Sequence, residues 1–345
     1  MSPLNWGIGH ASRLVPIAEQ LYENGAAIYF CAHGEALQLL KMECSYAHFV
    51  EDVPFEITYG NTGTKSIFKL ISQLPKMWFQ VYQEHQLLKK LVKEYQIDLV
   101  ISDNRYGFFH AHIPSIFITH QINIKVPFGK TLINFINHYF IKKYATCWVP
   151  DFEQDVESLA GDLSRKKQLK NVKYIGTLSR GKLSKQINTT KTSVLYLLSG
   201  VEPQRSILEQ HILQYHQKHP HQAILIRGTY KGEHKILPKQ NLTVYEMCNA
   251  EQLQNLVAAC KYVVCRSGYS SIMDLVSWQK NAVLIPTPGQ FEQEYLAHYL
   301  SEKKWFYSIE QSNFLNFKEE NMAGYECPKI KLQETNFADL IDEIL

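Results

Sequence analysis

Short apolar runs alternate with helical stretches along this chain, and they do so in two successive blocks. In the first block, residues 11–24 read as a periodic helix closed by Gly25, and 26–32 as a buried strand. Residues 65–95 read as a long helical stretch interrupted at Pro75. Residues 97–102 and 115–119 are continuous apolar runs of the kind that parallel strands covered on both faces require. A helix over 131–143 and a strand over 145–149 follow. The second block repeats the rhythm, with strands at 193–198, 223–227, 242–245, 262–265 and 282–285. Its helices fall at 204–218, 250–259, 270–279 and 291–303. This pattern predicts an α/β chain of two Rossmann-like, doubly wound domains facing a cleft.

Residues 176–191 are polar, basic and poor in apolar side chains, which suits a connection between domains. The expected division is 1–176, a linker at 177–191, and 192–345, with the last helix packing back on the first domain. Only Met1–Leu4 precede Asn5-Trp6-Gly7. The expectation is therefore a very short first strand, or a chain lacking a few natural N-terminal residues.

Composition narrows the function classes. Basic and acidic residues number 36 and 33, so the net charge of +3 gives a nucleic-acid role no support. The seven cysteines include no Cys-x-x-Cys pair, which argues against a disulfide framework or a zinc site. A reducing cytoplasm suits them. No basic start with an apolar core marks a signal peptide, and no run of about 18 apolar residues predicts a spanning helix. Residues 123–143 do mix Val126, Phe128, Ile133, Phe135, Ile136, Tyr139 and Phe140 with Lys125, Lys130, Lys142 and Lys143. Such a stretch fits either peripheral contact with an anionic inner-membrane surface or a core helix with extended lysines.

Four turns carry candidate chemistry. Gly7-Ile8-Gly9-His10 opens a helix, where unpaired N–H groups and the positive dipole end favour an anion. A tight strand-to-helix turn is the plainer alternative. A dinucleotide site would want an acidic residue ending the next strand, and that strand ends in Ala32-His33-Gly34. His10 lies where the dipole should lower an imidazole pKa, leaving a base or a hydrogen-bond donor. Ser199-Gly200 ends a strand ahead of Pro203. Cys265 to Ser271 (CRSGYSS) opens the helix bearing Asp274, a carboxylate suited to a ribose diol or to complementing the helix dipole. Pro286 and Pro288 then shape a loop before Gln293 and Glu294, which can read sugar hydroxyls or stand as a solvated helix start. The groups His110/His112 and His216/His219/His221 lack carboxylate or cysteine partners at ligand spacing, so no metal site is expected.

Taken together, residues 7–21 (GIGHASRLVPIAEQL) and 265–296 (CRSGYSSIMDLVSWQKNAVLIPTPGQFEQEYL) resemble the GT-B glycosyltransferases of family 28. That family includes the N-acetylglucosaminyltransferase of the peptidoglycan lipid intermediate. The resemblance implies an N-terminal acceptor side and a C-terminal nucleotide-sugar-binding side. It implies a UDP-sugar donor, UDP-GlcNAc or a relative, as substrate, with no cofactor and with inversion at the anomeric carbon. By position it places Gly9, Ser199 and Gly200 near the donor, and Met247 and Cys248 at the uracil edge. Ser267 and Gly268 fall at the diphosphate, Asp274 at the ribose, and Gln293 and Glu294 at the sugar. Residues 45–150 match nothing in the family, so the acceptor is left open, lipid-linked or glycan.

The sequence contains no Asp-x-Asp pair for a metal diphosphate, so the leaving nucleotide must rely on N–H groups, hydroxyls and a cation, Arg180 or Arg266. His10 is the first candidate base and Asp103, closing the run 97–102, the second. Two readings compete: a UDP-sugar 2-epimerase of the same architecture, and a non-catalytic partner of a membrane transferase.

Overall fold

The computed structural model describes residues 1–5, 8–52, 65–154, 156–166, 169–180, 192–229, 241–332 and 335–344. The chain divides into two compact units. One holds Met1–Asn5, Ile17–Gly176 and Gln333–Leu345; the other holds Trp6–Pro16 and Thr177–Leu332. Relative to a single cut after residue 176, two segments change sides: 6–16 join the second unit and 333–345 the first. Of the expected linker, residues 181–191 lie outside the described residues.

In chain order the first unit contains β1 (Ser2–Pro3), β2 (Tyr29–Ala32), α2 (Gly34–Glu43), β3 (His48–Glu51), α3 (Lys65–Tyr95), β4 (Val100–Asp103), β5 (Ser115–Ile118), α4 (Lys130–Ile141), β6 (Thr146–Val149) and β7 (Val172–Tyr174). Helix α1 (Gly9–Glu23) begins in the second unit and continues into the first. The main sheet runs β1-β4-β5-β6-β7, all parallel. The β2–β3 pair lies beside β1, joined through Cys31 N–H to the Met1 carbonyl at 3.0 Å and Ser2 Oγ to the Cys31 carbonyl at 2.8 Å. Every residue of β4, β5 and β6 is buried, which is why these strands read as unbroken apolar runs rather than alternating ones.

Helix α3 continues through Pro75 instead of stopping there. An internal proline removes one backbone hydrogen bond and bends a helix. The long helix-forming run beyond it, anchored by Leu88 and Leu91 packed on Val100 and Phe108, holds the segment helical.

The second unit contains β8 (Thr192–Leu197), α5 (Gln204–Lys218), β9 (Ala223–Ile226), β10 (Leu242–Tyr245), α6 (Ala250–Ala259), β11 (Cys260–Cys265), α7 (Tyr269–Ser277), β12 (Ala282–Leu284), α8 (Phe291–Glu302) and β13 (Tyr307–Ser308). A last helix, α9 (Phe337–Asp342), returns to the first unit, where the Phe337 ring lies tilted against Trp148 with centroids 5.6 Å apart. The second sheet runs β10-β9-β8-β11-β12-β13, again fully parallel. This is a doubly wound order, and its direction reverses between β8 and β11. Val194, Tyr196, Leu208, Ile212 and Phe314 form its core. No helix among the described residues is long and apolar enough to cross a membrane. All seven cysteines are free and buried.

Candidate active site

In a doubly wound sheet, ligands gather outside the carboxyl ends of the strands, where the order reverses. In the second unit that place is set by β8 and β11, which pair with Leu197 opposite Cys265. The turns leaving these strands, Ser199-Gly200 and Arg266-Ser267-Gly268, therefore start from neighbouring strand ends. Gly200 has φ +100° and is exposed; Ser199 is half-buried. Gly228, leaving the adjacent β9, has φ +68°, and a Cβ there would sit 2.2 Å from the Leu198 carbonyl oxygen. Only glycine lets these two chains approach so closely.

Gly268 caps α7 in extended conformation, and open space surrounds the place a Cβ would occupy. The first-turn N–H groups of α7 are those that a phosphate can accept from. Ser267 is fully buried, and its Oγ donates to the Gln293 carbonyl at 2.8 Å, fixing the loop rather than presenting the hydroxyl.

A second helix start meets this one within the same unit. The Gly9 carbonyl accepts from Ser270 Oγ, in the first turn of α7, at 2.8 Å and from Ser12 Oγ at 2.9 Å. His10, half-buried, follows directly, and its Nδ1 lies 2.9 Å from Nη2 of the buried Arg13.

Farther along α7, Asp274 is buried and engaged. Its Oδ1 accepts from Ser179 Oγ at 2.8 Å and the Arg180 N–H at 3.3 Å, while Oδ2 faces Arg180 Nη2 at 3.6 Å. Burial raises the Asp274 pKa, with Arg180 and Ser179 acting in the opposite sense. The Arg180 carbonyl accepts from Gln254 on α6. Arg180 Nε is buried and finds no hydrogen-bond partner among the described residues. An unsatisfied buried donor of this kind costs stability unless a ligand or water completes it. Cys248 is close enough to feel the guanidinium; burial pushes its thiol up to about 11, and Arg180 pulls it back down. Met247 beside it is half-buried.

The remaining expected residues are placed as follows. Gln293 Oε1 accepts from the Thr287 N–H at 2.9 Å, and exposed Glu294 accepts from the Gly289 N–H at 2.8 Å. Both close the proline loop onto α8. Arg266, offered by the sequence as an alternative cation, is instead a core strut. It donates to the carbonyls of Gln204 at 2.7 Å and Pro286 at 3.2 Å and to Gln311 Oε1 at 2.5 Å, and burial lowers its pKa to about 10. Asp103 lies in the other unit, wholly buried at the end of β4, with its carbonyl accepting from the Leu4 N–H at 2.9 Å. That position is the order reversal of the first sheet. Among the described residues, no three His, Cys, Asp or Glu side chains are grouped as metal ligands.

Helix α7 thus gathers Gly9 at its start and Arg180 along its length, with the Gln293 backbone bound beside it. Two contributing residues, Arg13 and Ser179, were missed from sequence, while Ser270 lay within the Cys265–Ser271 turn but was expected to face a diphosphate rather than the Gly9 carbonyl. Arg13 stands three residues after His10, a spacing that places two side chains on one helix face, and could have been found that way.

The comparisons agree with this architecture. Residues 167–322 match the model of the glycosyltransferase family 28 C-terminal domain. An uncharacterized glycosyltransferase of Methanosarcina acetivorans is 25% identical over 317 residues, covering 86% of this chain and 81% of that protein. Among solved structures, the spinosyn rhamnosyltransferase SpnG complexed with thymidine diphosphate is similar at TM-score 0.59 and 10% identity, over 94% of this chain and 89% of that one. MurG of Acinetobacter baumannii is similar at TM-score 0.53 and 13% identity, over 100% and 97%. Two parallel doubly wound sheets, matched over most of each chain, place this protein in the GT-B fold class. Within that class, the C-terminal part of this chain is a family 28 glycosyltransferase domain.

Proposed function

We propose that the protein moves a hexose, GlcNAc in the first instance, from a UDP-sugar to an acceptor hydroxyl, with inversion and without a metal ion. The observation that carries this reading is the pairing of Leu197 with Cys265, which sets the Ser199-Gly200 and Ser267-Gly268 turns at adjacent strand ends. The diphosphate lies at the start of α7, Met247 and Cys248 meet the base, and Gln293 and Glu294 face the sugar. Arg180, held by Asp274, is the cation, and its Nε, without a partner among the described residues, supports a bound oxygen there. Thymidine diphosphate in the SpnG structure supports a nucleotide in this fold.

In the transfer, the acceptor oxygen forms a bond to the anomeric carbon on the face opposite the phosphate. The carbon–oxygen bond to the phosphate breaks, and its electron pair leaves with UDP. Helix N–H groups and Arg180 meet that charge. The hydroxyl proton passes to a general base. The acceptor is a lipid-linked or glycan hydroxyl, and α4 with its exposed Phe135 and flanking lysines touches the membrane surface.

Calorimetric titration with UDP, thymidine diphosphate and UDP-GlcNAc tests the donor site; absence of any binding defeats the reading. Product NMR tests the stereochemistry, and a retained anomeric configuration excludes single displacement. Conversion of UDP-GlcNAc alone to its 2-epimer would replace transfer with epimerisation.

A further inference from the structure

The side chain that faces His10 decides which ring nitrogen carries its hydrogen. Arg13 Nη2 lies 2.9 Å from His10 Nδ1. A guanidinium has only donors, so the nitrogen facing it must be the acceptor. With Nδ1 accepting, the imidazole hydrogen sits on Nε2. Arg13 is 2% exposed and one helical turn from His10, so the geometry is confined by packing rather than by a solvated side chain. The backbone ahead of His10 is fixed as well, because two serine hydroxyls, Ser12 and Ser270, donate to the Gly9 carbonyl.

A ring with Nε2–H donates from that nitrogen; a base needs its lone pair there. The surroundings have the same sign, since His10 lies in the first turn of α1, where helix N–H groups also donate. We propose that Arg13 is a positioning residue that holds His10 in the Nε2–H tautomer, so that His10 serves the nucleotide sugar as a hydrogen-bond donor to an anionic or partly anionic oxygen, not as the base. The assignment of that oxygen rests on the glycosyltransferase reading; the tautomer does not.

Long-range proton–nitrogen correlation NMR on the full-length, nitrogen-15-labelled protein reads the tautomer directly. The His10 signals, among the fourteen histidines, are those absent from a His10→Gln sample. The expected pattern is protonated Nε2 and bare Nδ1, and Arg13→Met should let the ring populate both tautomers. A signature of protonated Nδ1 in the wild type overturns the proposal. Arg13 is buried, so Arg13→Met carries weight only if it folds; the His10 variants do not depend on it.

In transfer assays with UDP-GlcNAc, glutamine restores an amide N–H near the Nε2 position but supplies no base. His10→Gln should keep turnover within about tenfold of wild type, while His10→Ala should lose about a hundredfold. Equal loss in both variants overturns the donor role. If the wild type transfers no sugar, the proposed function falls, and the NMR pattern alone judges the action of Arg13.

Discussion

Arg180 and Asp274 are joined twice, through the Arg180 main-chain N–H to Oδ1 at 3.3 Å and through its guanidinium Nη2 to Oδ2 at 3.6 Å. The pair is buried, and burial outweighs the attraction: the carboxyl stays above its ordinary range in spite of Arg180. The sign of the linkage follows. A folded-state pKa above the unfolded one adds stability that is complete below about pH 4 and is lost as pH rises through the folded value. Asp274→Asn has no such titration. The melting-temperature advantage of the wild type over Asp274→Asn should therefore shrink from pH 4 towards pH 7, and thermal unfolding of both across that range checks it. A growing advantage would mean that Arg180 stabilises the ionised form more than burial opposes it.

The link between the two helix starts is open to a double-mutant cycle. Ser270→Ala removes the hydroxyl donated to the Gly9 carbonyl and should cost about 1 kcal/mol. A Cβ at Gly9 would lie 3.2 Å from Ser270 Oγ, so Gly9→Ala pushes the same hydroxyl aside. The double variant should lose less than the two single losses added, a non-additivity of about 0.5 kcal/mol or more. Denaturant unfolding of the four proteins measures it, and strict additivity would show that the contact is not made.

Glycines at two loops should behave differently. Gly228→Ala combines a left-handed backbone with a Cβ 2.2 Å from the Leu198 carbonyl, main chain that cannot swing away. It should cost more than about 4 kcal/mol, enough to prevent accumulation of folded protein. Gly289 also has positive φ, but nothing lies within 4 Å of its Cβ position. Gly289→Ala should cost only about 1–2 kcal/mol. Soluble yield and melting temperature compare the two directly.

The second unit was the more legible in sequence. Helices α5 and α6 and strand β10 fall on the bounds that periodicity predicts, because proline, Asn249 and short apolar runs mark their ends. In the first unit α2 and β3 went unread. Strand β3 is four half-buried or exposed residues, too short to show an alternation, although Leu37, Leu39 and Leu40 gave α2 a usable apolar stripe. The site turns could be named from glycine, serine and helix starts, since those signals are local. The partners could not. Asp274 meets Ser179 and Arg180 across 95 and 94 residues, and Arg266 turns inward to Gln204 and Gln311 instead of to a phosphate. Such choices depend on which strands lie side by side, and no spacing along the chain encodes that.

Helix α4 offers a surface that stability does not require. Its Asn137, Phe140 and Ile141 are buried, whereas Phe135 is 70% and Leu132 57% exposed, as is Phe128 just before it at 60%. Lys130, Lys142 and Lys143 are exposed at its ends, so apolar side chains stand among cations, an arrangement that suits an anionic bilayer. Phe135→Ser should leave the melting temperature within about 2 °C of wild type, because an exposed ring contributes little to the fold. Flotation with vesicles containing acidic lipid should show binding at low salt that weakens as salt rises, since each lysine near the surface adds about 1 kcal/mol of screened attraction. The serine variant should bind several-fold less. Equal flotation of the two proteins, or none by the wild type, would remove the membrane from the account of the acceptor.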